Sequence, residues 1–187
     1  SWNSFRSEDL IMSTYKGVGF RQSDISVSYT TGSSKNRKTV SLMRGRLAEF
    51  DFPTDVYGEV VITQKGYNYA YVKGMSKISM ENVEFNNKFD VYARDEHSAF
   101  YLITPQFMEY IQRLSGYGEI YLKFNGKKVF VLRHGIEGAF EIKESKKINV
   151  QAEVSRAYND IKEILDIIDI LNIDDRVDID NSNEGAT

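Results

Sequence analysis

The residues best suited to acid–base chemistry are the two histidines, His97 and His134. Histidine titrates near neutral pH, so it is a common general base for a serine nucleophile. His97 lies between acidic residues and Ser98, a composition that a Ser–His–acid hydrolase would use. Adjacent residues of one turn seldom reach the geometry of such a triad. We therefore interpret residues 95–98 as a solvated turn, and a hydrolase-like enzyme whose site is assembled only in the fold is the alternative hypothesis.

Motifs for metals and phosphates are incomplete. Gly17-Val18-Gly19 lacks the third glycine and the lysine of a phosphate-binding loop. The acidic tail 178–185 resembles the opening of a calcium loop, but Asn183 stands where glycine is expected. The absence of cysteine excludes thiolate ligands and disulfides. The sequence predicts no cofactor, no metal site and no catalytic residues, which favours a non-enzymatic protein.

A basic loop is the clearest electrostatic feature. It contains Lys35, Arg37 and Lys38, and Arg44 and Arg46 follow on the next predicted strand. Such side chains bind anionic lipid headgroups or nucleic-acid phosphates, and otherwise remain solvated loop charges. The net charge of −3 has the wrong sign for a nucleic-acid binder. The predicted partner of this loop is an anionic membrane surface, with no nucleic acid expected.

The first 80 residues are predicted to form antiparallel strands. Ile25, Val27 and Tyr29 alternate with small polar residues, and the polar run 31–38 separates two strands as a hairpin tip. The next strand covers 39–52, where either a bulge at Gly45 turns Arg44 and Arg46 outward or both lie at a sheet edge. Tyr67, Tyr69 and Tyr71 alternate on a further predicted strand. We interpret these three side chains as one half-buried face of the sheet.

The second half mixes strands and helices. Thr104-Pro105 predicts the start of a short helix that ends at Gly116. Before it we expect a strand at 89–93, a turn at 95–97 and a short apolar strand at 100–103. Asn125-Gly126 predicts a two-residue hairpin turn pairing Phe124 with Lys127, Leu122 with Val129 and Ile120 with Val131. The face carrying Ile120, Leu122, Val129 and Val131 is predicted to be core.

A long helix is predicted from about Asn149. Ile167, Ile170 and Ile173 add apolar surface near its end, outside its main stripe. A helix that is apolar on most sides is buried on most sides. We therefore expect its C-terminal half to meet a second surface, belonging to a protein partner or to another copy of the chain.

These elements predict an α+β fold. An antiparallel β-sheet carries one short helix after Thr104-Pro105 and a long C-terminal helix. The chain has 187 residues, 41% of them hydrophobic. This length and composition predict one soluble domain over 1–173, followed by an acidic flexible tail at 174–187.

Two stretches resemble a bacterial family known as domain of unknown function 3137. The first runs from Phe5 to Pro53 and includes Gly17-Val18-Gly19, Tyr29 and Arg44-Gly45. The second includes Phe89 to Tyr92 and Tyr101 to Met108, and leads to the Asn-Gly hairpin. The resemblance implies a soluble part preceded by helical membrane segments, and it implies no catalytic residue. Because the chain begins at Ser1 rather than Met, we expect a membrane anchor upstream and a position at the cytoplasmic face of the membrane.

The function these observations favour is that of a non-catalytic binding or assembly module on a membrane-associated bacterial protein. The basic loop and the apolar helix end are its expected contact surfaces.

Overall fold

A computed structural model describes residues 4–33, 36–56, 58–66, 72–135 and 149–171, apart from the side chain of Tyr117. The predicted strand with Tyr67, Tyr69 and Tyr71 and the acidic tail, with its resemblance to a calcium loop, lie outside the described residues. The strands are β1 Ser4–Tyr15, β2 Val18–Thr31, β3 Lys38–Asp51, β4 Glu59–Gln64, β5 Ser76–Ile78, β6 Phe89–Ala93, β7 Glu119–Asn125 and β8 Lys128–His134. The helices are α1 Val83–Lys88, α2 Glu96–Leu102, α3 Pro105–Leu114 and α4 Val150–Leu171.

The strands form one eight-stranded antiparallel sheet in the order β1-β2-β3-β8-β7-β4-β6-β5. The core lies on the face that carries Phe20, Phe50 and Val131, where residues of α1–α4 complete one apolar cluster. The predicted antiparallel α+β arrangement is confirmed in this coarser form, with a larger share of sheet and two more helices than expected. No helix within the described ranges is long and apolar enough to cross a membrane.

Two short helices correct the sequence prediction. Glu96–Leu102 is a helix, where a turn and a short strand were expected, and Asp95 caps it by accepting a hydrogen bond from the Ser98 amide. α1 begins after Asn82, whose side chain accepts from the Phe85 amide. Both caps satisfy amides that a helix leaves unpaired at its first turn. The predicted starts of α3 and α4 are confirmed, with Thr104 and Asn149 as the capping residues.

The hairpin β7–β8 forms as predicted, but its register differs. Asn125 pairs with Lys128, Phe124 with Val129 and Leu122 with Val131, so the loop is Gly126-Lys127. Gly126 has a φ of 60°, and glycine at the first loop position is what a type II′ turn requires. The shift preserves the predicted face, because Ile120, Leu122, Val129 and Val131 are all fully buried. It also places Arg133 opposite Ile120 on that same face.

Candidate binding surface: a basic β-arm beside a buried charge layer

The β2–β3 hairpin extends past the rest of the sheet. β3 pairs with β8 only from Gly45 to Asp51, whereas it pairs with β2 from Lys38 to Asp51. Residues 4–8 of β1 accompany the extension, because they pair with residues 24–28 of β2. We call residues 4–8, 25–33 and 36–44 the arm.

Charge is strongly segregated on the arm hairpin. Residues 25–44 contain Lys35, Arg37, Lys38 and Arg44 and no Asp or Glu, in a chain whose net charge is −3. Arg37, Lys38 and Arg44 are exposed, and Lys35 lies outside the described residues. Within the part of the chain that the structure describes, no carboxylate lies within ion-pair distance of Arg37 or Lys38. The hairpin tip is therefore an exposed cationic surface.

Arg46 does not belong to that surface. Its side chain is 1% exposed, and its Nε donates to Asp24 Oδ1 at 2.8 Å. Asp160 of α4 lies 3.6 Å from Nη1. The β2–β3 ladder is regular at Gly45, with its irregularity at Val27–Ser28, and β3 lies inside the sheet. Arg46 therefore has neither the predicted bulge nor the predicted edge position, and it faces the helices. Arg44 lies on the stretch of β3 beyond its pairing with β8 and is exposed.

A second buried arginine, Arg133, lies opposite Arg46 on β8. Its burial was not predicted, because the residue pattern of 128–134 is that of an ordinary strand. Its Nη1 lies 3.6 Å from Glu163 of α4. Burial, reinforced by the Arg46 charge, lowers the pKa of Arg133, and burial raises the pKa of Glu163. Desolvation thus outweighs the attraction between this pair, as expected for charges taken out of water.

Close contact between β3 and β8 holds the two arginines side by side. A Cβ built on Gly45 would lie 2.2 Å from the carbonyl oxygen of Arg133, well inside contact distance. Glycine is therefore required at this position for the strands to pair. Beside them lies Gln22, which is 2% exposed and whose amide nitrogen and oxygen have no hydrogen-bond partner among the described residues. We call Gln22, Asp24, Arg46, Arg133, Asp160 and Glu163 the buried charge layer.

The apolar end of α4 is buried within the chain itself. Ile167 is fully buried in the core cluster, and Ile170 is half-buried and packs against that cluster. Ile173 lies outside the described residues. Helix α3 supplies one covering surface, where the Tyr110 hydroxyl donates to the Glu163 carbonyl at 3.1 Å. The β1–β2 turn contacts the same end of α4 through an exposed ion pair, in which Lys16 Nζ lies 2.7 Å from Asp169.

The two histidines occupy separate places. His97 is exposed on α2, beside a carboxylate, Asp95, that accepts from the Ser98 hydroxyl and amide. These bonds lower the pKa of Asp95 and identify the group as a helix cap. His134 ends β8, with Nδ1 3.3 Å from Glu119. Among the described residues, no group of three His, Asp or Glu side chains could hold a metal ion.

An open groove of about 450 Å³ lies where β1, β2 and β3 run side by side, and Met12, Phe20 and Asp51 are among its lining residues. Its floor carries Arg21, which donates two 2.8 Å hydrogen bonds to Glu49. Lys128 contacts the same carboxylate. The bond from Arg21 lowers the pKa of Glu49, with Lys128 adding to the effect. The groove therefore carries a paired charge cluster, and neither histidine lines it.

Comparison with known proteins places the chain in a family without establishing an activity. The crystal structure of the mycobacterial trehalose monomycolate transport factor A, TtfA, is similar with a TM-score of 0.50 at 7% sequence identity, over 88% of this chain and 74% of that one. Similarity at this identity concerns the fold alone. No curated protein matches the sequence. A family model described as "Protein of unknown function (DUF3137)" matches residues 41–173. The match covers most of the described fold, from β3 through α4, and the chain belongs to the DUF3137 family.

Proposed function

We propose that the chain is a non-catalytic binding and assembly module held at the cytoplasmic face of a membrane, where the arm contacts anionic lipid headgroups. The observation that carries this proposal is the carboxylate-free hairpin 25–44, whose cations project beyond the sheet of a protein with a net charge of −3. The membrane-associated character expected of the family agrees with the same placement.

The electrostatics of the arm support a surface contact. Each Lys or Arg near an anionic bilayer contributes about 1 kcal/mol of binding free energy. Arg37 and Lys38 are exposed and lie outside every ion pair found among the described residues. Their binding to lipid therefore breaks no such pair within the chain. Acidic residues elsewhere on the protein are repelled by the same bilayer, which favours orientations that point the arm at the membrane.

Replacing Arg37 and Lys38 by alanine tests the proposal. We expect the R37A/K38A variant to partition onto vesicles of phosphatidylcholine and phosphatidylglycerol roughly 30-fold more weakly, since about 2 kcal/mol is lost. Flotation of the chain over a series of lipid concentrations measures this partition coefficient.

A matched control removes Lys65 and Lys73, two exposed cations outside the arm. This variant lowers net charge equally and is expected to keep nearly all of the binding. Equal loss in both variants would contradict the arm as the site, as would equal binding of the unchanged chain to pure phosphatidylcholine. Undiminished vesicle binding by the R37A/K38A variant would also contradict the arm as the site.

A further inference from the structure

The two faces of the arm differ sharply in chemistry. Partners across the ladder share a face, and successive residues alternate between faces. The face continuous with Phe20 and Phe50, which we call the inner face, carries polar and charged residues where the arm strands pair: Ser4, Arg6, Glu8, Ser26, Ser28, Thr30, Thr39, Ser41 and Arg44. The 3.0 Å contact between the Thr30 and Thr39 hydroxyls confirms this pairing.

The opposite face of the arm, the outer face, is mainly apolar. It carries Phe5, Ile25, Val27, Tyr29, Val40 and Met43, with Ser7 beside Ile25 and the pair Thr31–Lys38 at the tip. Ile25 is buried next to the main sheet, while Val27, Tyr29, Val40 and Met43 are half-buried and Phe5 is 55% exposed. On the arm the usual arrangement is therefore inverted, because the apolar face points away from the helical layer. A sheet normally buries its apolar face against another layer.

Charge complementarity indicates what covers the outer face of the arm. Arg37 and Lys38 lie at the end of the same ribbon, and residues 25–44 include no carboxylate. An apolar face bordered by cations, with no acidic residue in the hairpin, matches the boundary between anionic headgroups and acyl chains. A protein partner would need an acidic rim around an apolar centre. The one carboxylate of the arm, Glu8, lies on the inner face, where its Oε1 is 3.2 Å from Arg6 Nε.

We propose that the arm lies with its outer face in the interfacial layer of an anionic bilayer, so that Phe5, Val27 and Tyr29 enter lipid while Arg37 and Lys38 hold the headgroups. This inference rests on the proposed function and adds an orientation to it. The inner face, with its serines and threonines, stays in water.

The absence of cysteine from the chain makes a direct test possible. Single cysteines at neighbouring positions, Tyr29→Cys on the outer face and Ser28→Cys on the inner face, are labelled with an environment-sensitive fluorophore. With phosphatidylcholine–phosphatidylglycerol vesicles, the label at 29 is expected to shift to the blue and to lose intensity when the lipids carry a doxyl quencher. The label at 28 is expected to do neither.

A second pair protects the test against a variant that fails to fold. Phe5→Cys is on the outer face of β1, and Ser4→Cys is its inner-face neighbour, both at exposed positions. Equal quenching of both members of each pair, or of neither, would overturn the orientation, as would a blue shift at 29 that depends on protein concentration without vesicles. If the chain floats in a charge-dependent way but the outer labels meet no quencher, the orientation fails and the proposed function stands. If the chain does not float with the vesicles, the proposed function is contradicted, and the orientation that rests on it falls with it.

Discussion

Replacement of Arg46 by alanine is expected to lower the free energy of unfolding by about 3–5 kcal/mol, because it leaves the half-buried carboxylate of Asp24 without its buried partner. Arg46 is 1% exposed and holds Asp24 at 2.8 Å and Asp160 at 3.6 Å, so it joins β2, β3 and α4. Urea denaturation followed by circular dichroism measures the change.

The matched control for this variant is Arg44→Ala, two residues earlier on the same strand and exposed. A surface change of this kind is expected to alter the free energy of unfolding by no more than about 0.5 kcal/mol. If Arg44→Ala and Arg46→Ala destabilise the protein equally, the buried charge layer is not a structural element. Asp24→Asn supplies a further comparison, since it keeps the shape of the side chain while removing its charge and one of the two oxygens that accept from Arg46.

Replacement of Ile167 by alanine is expected to cost about 2–5 kcal/mol, the usual range for a large-to-small change in a packed core. Ile167 is fully buried among residues of the sheet and helices. The same denaturation measurement applies, together with analytical ultracentrifugation to record the oligomeric state. Loss of stability without any change in association is the expected result.

Ile170→Ala is the control for that variant. Ile170 is only half-buried, so its truncation is expected to cost clearly less. A variant at Ile167 that keeps its stability but loses self-association would contradict the structure, and would restore the idea that this end of α4 is an interface with another copy.

The strands and the two longer helices were predictable from the sequence because their signals are local. Alternation around Ile25, the Thr104-Pro105 start and the capping residue Asn149 each depend on a few neighbouring residues. Helix α2 was missed, because its apolar run Phe100–Ile103 is too short for a helical period to show. Asp95 could have indicated the start of this helix, because it is a capping residue three positions before Ser98.

The buried charge layer could not be predicted, because it depends on which strands become neighbours. Arg46 and Arg133 are far apart in sequence and meet only because β3 pairs with β8 in one register. Arginine in a strand ordinarily indicates a solvent-exposed position. Gly45 was the available signal: a glycine inside a strand marks close backbone approach, and here that approach is by Arg133 of β8.

The sequence correctly predicted that the C-terminal half of α4 carries extra apolar residues. The prediction placed the surface that covers them on another molecule. In the structure Ile164, Ile167 and Ile168 are buried in the core cluster that the sheet and the helices of this chain form. A single sequence shows that a helix is buried on most sides but does not show by what. The exposed apolar residues of α4 are instead Val150, Val154 and Tyr158, at the other end of the helix.

Hydrogen–deuterium exchange of the chain with and without anionic vesicles tests the central claim most directly, because it needs no substitution and covers the whole protein. The arm extends beyond the core and is expected to exchange faster than the main sheet when free. We predict that vesicles of phosphatidylcholine and phosphatidylglycerol slow exchange in residues 25–31 and 38–44, and that α4 and strands β4–β8 are unchanged. Slowed exchange confined to α4, or no slowing anywhere at lipid concentrations that bind the chain, would contradict a membrane contact made by the arm.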